Sequence, residues 1–302
     1  MIVGNVDESR LMRLAGFLGM QKLKWSLRRL YVPIWRNALV LEVGSGGNPY
    51  PRANILLDAY EETRERHWDP LVHDRLTVMA FGEKLPFKDK CFDFVIAAHV
   101  LEHSSEPAKF LAELQRVAHA GYIETPDAFM ERINPYTDHR LEVTMRDNSL
   151  VIRKKYAHIV DRELVELYED RAKSSVTRRL IPKNPFDFHV RYYWKDKINF
   201  KILNPNVDAS WEPMKSDKTN IQSEGFRRMM RFYLLKIIRI LFSQNRRNDK
   251  INLLSLIICP ACQQNELKRD SNWIECRGCG ARYEVHDRIF IMQTPFRNND
   301  TL

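Results

Sequence analysis

The sequence predicts an α/β fold with a doubly wound, mostly parallel sheet, followed by a small C-terminal module built around four cysteines. Two observations support this prediction. Between residues 38 and 127, short apolar segments alternate with connecting segments, which is typical of parallel strands joined by crossovers. Near the C-terminus, two CxxC pairs are separated by thirteen residues, a spacing that suits a closed tetrahedral zinc site.

Five apolar segments are expected to become the strands of the sheet. Each is short and rich in apolar residues, as buried parallel strands are. Between the last two, residues 106–117 (EPAKFLAELQRV) have apolar side chains at helical spacing and predict an amphipathic helix. The predicted strands are 38–43 (ALVLEV), 54–58 (NILLD), 76–81 (LTVMAF), 92–98 (FDFVIAA) and 121–125 (GYIET).

The pattern changes on both sides of this sheet. Residues 8–31 predict a basic amphipathic helix, broken at Gly16 or Gly19 and ending before Pro33. The predicted organisation is an N-terminal helix at 1–35, an α/β domain at 36–222 with an insertion at about 128–222, a basic linker helix at 223–250 and the cysteine module at 251–302.

The insertion is expected to contain two hairpins and a helix. RLEVTM (140–145) and SLVIRKK (149–155) flank an Arg-Asp-Asn turn, which is typical of a β-hairpin. Residues 161–173 have a helical pattern. FHVRYYW (188–194) and INFKILN (198–204) flank Lys-Asp-Lys and predict a second hairpin.

The charge of the chain favours an anionic partner. The formal net charge is +9 and the sequence pI is about 9.3. Nucleic acid, a membrane surface or a phosphorylated substrate would suit such a balance, although a basic charge also serves solubility. Residues 224–243 predict a strongly basic amphipathic helix. That helix would either make a peripheral contact with an anionic membrane or pack on the α/β domain as a linker.

Several features predict a cytoplasmic location. The N-terminus has no secretory signal pattern, and no run of eighteen apolar residues predicts a transmembrane segment. Four of the five cysteines lie between Cys259 and Cys279, and Cys91 stands alone. This clustering indicates a metal site in a reducing compartment rather than a disulfide framework.

A glycine-rich turn follows the first predicted strand, at 41–47 (LEVGSGG). In open α/β sheets, ligands bind at the carboxyl edge of the strands, and glycine lets the backbone approach them closely. A dinucleotide site would require a third glycine at position 49, which is proline. The second strand ends at Asp58, whose carboxylate can accept both hydroxyls of a ribose.

Two further motifs follow in order, LPF at 85–87 and VLEH at 100–103. Together with the glycine turn and Asp58, they resemble the class I S-adenosylmethionine-dependent methyltransferases with LPF and VLEH motifs. The resemblance covers residues 38–127 and implies a Rossmann-like sheet and S-adenosylmethionine as the cofactor. It also implies a set of cofactor-binding residues, namely Glu42, Gly44, Gly46, Asp58, Phe81, Gly82 and His99.

The resemblance also implies their roles. The acid and glycines of the turn would surround the methionine and ribose, Asp58 would hold the ribose, and His99 would lie near the sulfonium. Many relatives have aspartate where this chain has Phe81, so ring stacking and backbone groups are expected to hold the adenine. Only eleven residues separate Gly46 from Asp58, which predicts a shaped loop at 48–52 instead of a first crossover helix.

Methyl transfer is an in-line displacement on an activated sulfonium, so alignment and exclusion of water are the protein's main tasks. A base is needed when the acceptor is a poor nucleophile such as a sugar hydroxyl. His99 and His103 are the catalytic candidates, although His103 would alternatively orient its loop. Further acids and bases expected near the pocket are Glu102, Glu124, Asp127, His139 and Arg140.

The cysteine module predicts a structural zinc site with Cys259, Cys262, Cys276 and Cys279 as ligands. Residues 253–292 resemble the small zinc-ribbon activator subunit of tRNA, ribosome and release-factor methyltransferases. The resemblance implies that the module activates the α/β domain or covers its apolar surface. The terminal glycine-isoleucine-proline of that family is replaced by Arg-Ile-Phe at 288–290.

Three functional hypotheses follow. The first is an enzyme that O-methylates a sugar, a glycan precursor or another small metabolite. It rests on the long insertion and on the order ETP (124–126), loop, HR (139–140), hairpin, which resembles methyltransferases of bacterial polysaccharide pathways. The second is an RNA methyltransferase of the tRNA type with a built-in activator, based on the charge and the ribbon. The third is a zinc-dependent scaffold with a degenerate cofactor pocket, based on Phe81.

Overall fold

A computed structural model describes residues 8–66, 68–212 and 226–293. The five apolar segments between residues 38 and 127 form strands, as the sequence predicts. Further strands lie in the insertion and in the C-terminal module. In chain order, they are β1 (Val40–Val43), β2 (Ile55–Asp58), β3 (Thr77–Met79), β4 (Phe94–Ala98), β5 (Ala120–Pro126), β6 (Leu141–Arg146), β7 (Ser149–Lys154), β8 (His189–Lys195), β9 (Phe200–Ile202), β10 (Leu267–Arg269), β11 (Trp273–Cys276), β12 (Arg282–His286) and β13 (Ile289–Ile291).

Most of the helices are short. They are α1 (Arg10–Phe17), α2 (Gln21–Leu27), α3 (Pro107–Val117), α4 (Ala128–Ile133), α5 (Arg162–Tyr168), α6 (Ile181–Lys183), α7 (Phe226–Phe242) and α8 (Asn245–Asn248), with π-helical turns at Glu169–Lys173 and Val176–Leu180. Three stretches of the predicted segments lie outside the described residues. They are 1–7 in the N-terminal segment, 213–225 across the insertion and the linker, and 294–302 in the cysteine module.

The main sheet has the order β10-β11-β12-β13-β3-β2-β1-β4-β5-β8. Its six central strands, from β13 to β5, run parallel, whereas β8 pairs antiparallel to β5 and β10 to β13 pair antiparallel to one another. This confirms the α/β fold with a mostly parallel sheet. The carboxyl ends of β1, β2 and β4 therefore meet at one edge, which is where such sheets bind ligands.

The core forms on both faces of the central strands, and β1, β2, β3 and β5 are buried throughout. Helix α3 covers one face, as its apolar spacing predicts. It begins with Pro107 in its first turn and buries Phe110, Leu111, Leu114 and Val117. The residues between β1 and β2 contain no helix, so the predicted loop at 48–52 is confirmed.

The N-terminal segment forms two helices, with the predicted break between them. The break falls at Gly19, which has a φ of +70° between α1 and α2. Glycine adopts this conformation without the steric cost that a Cβ would bring. The chain then turns so that Arg28, just after α2, is buried against the sheet.

The first predicted hairpin is confirmed and the second is wrong. Strands β6 and β7 pair antiparallel around Asp147 and Asn148, both of which have the positive φ of a type I′ turn. Strand β8, in contrast, pairs with β5, and β9 pairs parallel with β7. The apolar and aromatic residues of β8 explain this, because pairing at the sheet edge buries Val190, Tyr192 and Trp194.

The C-terminal strands continue the main sheet. Strand β13 pairs in parallel with β3, and Phe290 faces Val78 in that register. The side chains of Phe290 and Val285 belong to the same apolar cluster as those of β1 and β4. The predicted cysteine module is thus packed on the α/β domain through a shared core.

Helix α7 includes most of the predicted basic helix at 224–243. Its described side chains from Met229 onward are largely exposed, and the buried one is Arg239, whose guanidinium pairs with Asp74 at 3.1 Å. The peripheral membrane contact stays a prediction. Within the part of the chain that the structure describes, every helix is too short or too polar to cross a bilayer.

Candidate functional site

The glycine turn after β1 has the geometry of a close backbone approach. Gly44 and Gly46 have φ values of +70° and +58°. A Cβ on Gly44 would lie 2.7 Å from the Val100 side chain, so any larger residue would displace the loop that follows β4. The amides of Gly44 and Ser45 both donate to the carbonyl of Leu57 at the end of β2. The turn is therefore tied to the neighbouring strand.

Asp58 faces this turn, as the sequence predicts. One carboxylate oxygen accepts from the Gly46 amide at 2.9 Å, and the other accepts from the Tyr60 amide at 3.1 Å and from the Arg66 guanidinium at 3.0 Å. A Cβ on Gly46 would lie 3.2 Å from the Arg66 stem. The turn and the acid are thus in direct contact, and Arg66 binds the same carboxylate.

An aromatic pair lies beside Asp58. The rings of Tyr60 and Phe81 are 5.9 Å apart and nearly perpendicular. Gly82 packs so closely on Phe110 that an added Cβ would overlap its ring. The backbone at 81–82 is therefore held against α3, next to the Phe81 and Tyr60 rings. Tyr60 is missing from the predicted site, although its position two residues after Asp58 is a usable signal.

Glu42 is buried beneath the turn. Its carboxylate accepts from the Tyr50 amide at 2.7 Å, so it holds the loop at 48–52 over the sheet. Burial raises the pKa of Glu42 to about 7, and the nearby Arg29 and the Tyr50 amide oppose this rise without cancelling it. Glu42 thus holds the loop at 48–52 in place from the side of the sheet.

This burial predicts a stability that depends on pH. The pKa of Glu42 is about 7 when folded and near 4.5 when exposed, so the group favours the folded state below pH 4.5. That contribution is lost as the pH rises to 7, for a total of about 3 kcal/mol. We expect Glu42→Gln to remove this loss. Denaturant unfolding should show the variant gaining stability over wild type between pH 4.5 and 7, and a constant difference over that range would contradict the prediction.

His99 lies at the carboxyl end of β4 between two carboxylates. It has a φ of +57°, its Nε2 lies 3.0 Å from Glu124, and its Nδ1 lies 3.4 Å from Glu102. Burial lowers the pKa of His99, but the hydrogen bond to Glu124 and the charges of Glu124 and Glu102 outweigh it and raise the pKa to about 9. The His99 ring is 39% exposed.

Glu124 is the centre of a buried network that the sequence does not predict. Arg28 binds both of its oxygens, at 2.8 and 2.6 Å, and the Tyr122 hydroxyl donates to it. Arg191 donates to the Tyr122 oxygen at 3.0 Å. Burial alone would raise the pKa of Glu124, but Arg28 and His99 hold it well below its usual range. The N-terminal helices thus reach the site through Arg28.

Two further candidates have structural partners. Asp127 begins α4 by accepting from the Phe129 amide at 2.8 Å, and it also accepts from the Thr144 hydroxyl at 2.7 Å. Arg140 donates to the carbonyls of Ala209 and Trp211, both at 2.6 Å. Arg140 thus ties two parts of the insertion together, whereas Asp127 also lines a cavity beside His189. His103 and His139 lie side by side, with ring centroids 4.8 Å apart.

A cavity of about 540 Å³ opens beside His189. It lies between the N-terminal helices, β6 and the segment leading into β8. His189 lines it, and the His189 and His99 rings are 5.4 Å apart. Polar groups on its wall include Gln21, Lys24, Asn184 and Arg191. The predicted insertion and the N-terminal segment together form this wall.

The four cysteines of the C-terminal module converge. Their sulfur atoms all lie within 4.8 Å of one another, with Cys259 to Cys279 at 3.7 Å and Cys262 to Cys276 at 3.5 Å. Ligands about 2.3 Å from a tetrahedral zinc ion have sulfur–sulfur distances of about 3.8 Å, so this donor set fits that metal. The Tyr283 hydroxyl lies 3.1 Å from the Cys259 sulfur and supports the thiolate from outside.

Residues 41–123 match a family model described as a methyltransferase domain. No curated protein sequence shows significant similarity to the chain. Among solved structures, the chain resembles one from the complex between the Haloferax volcanii Trm112 methyltransferase activator and a methyltransferase, with 14% identity, 62% and 92% of the two chains covered, and a TM-score of 0.35.

Two other solved structures are similar over comparable lengths. An S-adenosylmethionine-dependent methyltransferase from Aquifex aeolicus shows 18% identity over 63% of this chain and 98% of its own, with a TM-score of 0.29. One from Mesorhizobium loti shows 10% identity over 57% and 96%, with a TM-score of 0.32. The family match is what carries the assignment. The chain therefore contains a methyltransferase domain at 41–123.

Proposed function

We propose that the enzyme O-methylates a small polar acceptor, such as a sugar, a glycan precursor or a similar metabolite. The observation that supports this most is the 540 Å³ cavity lined by His189, whose ring lies 5.4 Å from that of His99, because its volume suits a small molecule. Its wall carries both charges and amides, which are groups that hydrogen-bond to several hydroxyls at once. The match to a methyltransferase domain favours an enzyme over the scaffold hypothesis.

In this proposal, S-adenosylmethionine binds between the glycine turn and Asp58. The bound cofactor supplies an activated methyl group, and the protein aligns it with the acceptor. Asp58 would hold the ribose, Phe81 and Gly82 would flank the adenine, and Glu42 would support the loop. His99 would lie closest to the methyl group, where it would orient the acceptor oxygen or take part in moving its proton.

Two amide side chains make the acceptor cavity testable. Gln21 and Asn184 line it, and no hydrogen bond of the described residues engages either amide group. We expect Gln21→Leu and Asn184→Leu each to raise KM for a sugar acceptor about tenfold, the effect of one lost hydrogen bond, with the affinity for S-adenosylmethionine unchanged. The measurement is transfer of a labelled methyl group to a panel of sugar nucleotides.

The control for this experiment is an exposed amide residue away from the cavity and the cysteine cluster, and Asn206→Leu is suitable. If labelled methyl groups entered no sugar, but entered tRNA with a rate that fell steeply with salt, the small-acceptor proposal would be wrong. That outcome would support the second candidate, an RNA methyltransferase. The net charge of +9 and the pairing of β13 with β3 favour this candidate, because they suit a nucleic-acid partner and a built-in activator.

We also propose that the cysteine cluster binds a structural zinc ion. Four thiolates close the coordination sphere and leave no position for a substrate. The module also contacts the LPF motif, since Lys88 donates to the Leu256 carbonyl and Ile258 donates to the Pro86 carbonyl. Phe87, between these two bonds, is fully buried. Zinc would thereby steady the loop that leads from Phe81 to Phe87.

A further inference from the structure

Three metal-binding side chains converge at a second place, outside the cysteine cluster. Glu102 and His103 belong to the short 3₁₀ turn that follows β4, and His139 comes from the insertion just before β6. One donor atom of each residue lies within 4.8 Å of the other two. Glu102 and His103 are adjacent in the chain, whereas His139 is 36 residues further on, so the packing of the insertion on the sheet creates the cluster.

Glu102 is an unusual buried acid. It is 1% exposed, and within the described residues neither of its carboxylate oxygens has a hydrogen-bond partner. Its nearest partner is the His99 Nδ1 at 3.4 Å, an ion-pair distance. A buried carboxylate without hydrogen bonds is costly, and such groups are usually paired with a cation. His99 faces one carboxylate oxygen, and the other oxygen has no partner among the described residues. That second oxygen is available to a ligand that the polypeptide does not supply.

In both histidines, the Nδ1 atom contacts a group that does not belong to the cluster. His139 Nδ1 lies 2.7 Å from Glu131, which in turn pairs with Lys155 at 2.7 Å. His103 Nδ1 lies 3.2 Å from the Asp138 carbonyl. If each Nδ1 donates, each Nε2 carries a free lone pair. Metal-binding histidines are typically oriented in this way by a carboxylate or a backbone carbonyl.

We propose that Glu102, His103 and His139 bind one divalent transition-metal ion, separate from the zinc of the cysteine cluster. Two imidazoles and one carboxylate suit Zn²⁺, Fe²⁺ or Mn²⁺ better than Mg²⁺ or Ca²⁺, which prefer oxygen ligands. Three protein ligands leave coordination positions open. The ion joins the turn after β4 to the insertion, and it neutralises the buried carboxylate next to His99.

The first test uses the wild-type full-length chain, with its cysteine cluster already filled by zinc. Addition of Co²⁺ is expected to give a second bound equivalent with weak visible bands and no thiolate-to-cobalt charge transfer. That spectrum distinguishes nitrogen and oxygen ligands from cysteine. A wild-type protein that binds no Co²⁺ after zinc loading would overturn the proposal, because it would mean that protonated histidines alone balance Glu102.

The second test removes the ligands. His139→Gln and Glu102→Gln are each expected to abolish the Co²⁺ bands and lower the metal content from two equivalents to one, with circular dichroism unchanged. His119→Gln, at an exposed histidine, is the matched control and should keep both equivalents. If the bands persist in His103→Gln/His139→Gln, the ion binds elsewhere and the assignment is wrong.

Discussion

Replacement of Cys276 by serine is expected to release the metal from the cysteine cluster and unfold residues 253–292. Cys276 is buried at the end of β11, and its sulfur lies 3.5 Å from that of Cys262. Serine is a poor zinc ligand, and the binding free energy of zinc in such modules is on the order of 10 kcal/mol. The strands β10 to β12 are too short to fold without it.

The effect should reach the methyltransferase domain. Loss of β13 would expose the edge of β3 and remove Phe290 from the shared core. The Phe87–Ile257 bridge would also be lost, so the loop from Phe81 to Phe87 would become mobile. We therefore expect weaker S-adenosylmethionine binding as well as loss of metal.

Metal analysis, hydrogen exchange and calorimetric titration would measure these three effects. Cys91→Ser is the matched control, because Cys91 lies outside the cluster and should leave the metal content unchanged. Retention of a full equivalent of zinc by Cys276→Ser would show that the cluster is not the metal site. Loss of metal with unchanged cofactor affinity would show that the module does not support the domain.

The second large effect is expected at Asp58. Asp58→Ala should weaken S-adenosylmethionine binding by about 3 kcal/mol, roughly a hundredfold, because it removes two charge-assisted hydrogen bonds to the ribose. The fold should survive, since β2 is held by its neighbours on both sides and Asp58 lies at its end. Calorimetric titration measures the affinity, and circular dichroism checks the fold.

Substitution of Arg66 is expected to change the affinity for S-adenosylmethionine in the opposite direction. Its guanidinium lies 3.0 Å from Asp58 and competes with a ribose for the carboxylate. Arg66→Ala should therefore bind S-adenosylmethionine more tightly than wild type, whereas Asp58→Asn should lie between wild type and Asp58→Ala. Unchanged affinity in Asp58→Ala would place the cofactor elsewhere on the sheet edge.

Much of the sheet could be predicted because local pattern and burial agree there. The segment 38–43 is apolar, precedes glycines and becomes β1, and residues 54–58 become β2 with Asp58 at its end. The sequence predicts that the glycine turn and Asp58 face each other, and in the structure the Gly46 amide donates a hydrogen bond to the Asp58 carboxylate. Parallel strands that end at one edge leave few alternatives for these positions.

The errors and omissions share a physical cause. The sequence predicts that β8 pairs with β9, its neighbour in the chain. In the structure β8 pairs with β5, because burial of its aromatic side chains there outweighs the preference for a local hairpin turn. Arg28 was not predicted to contact Glu124, because nothing in the pattern of an N-terminal helix indicates a partner 96 residues away. Arg66 over Asp58 was missed for the same reason.

The sequence by itself determined the class of fold, the order of the motifs and the grouping of four cysteines, because these depend on spacing and on the period of apolar residues. The tertiary structure alone decided that β13 extends the sheet, that a cavity opens beside His189, and that His139 meets Glu102 and His103. Such contacts depend on how distant segments pack to bury apolar surface, and short-range patterns contain no information about that packing.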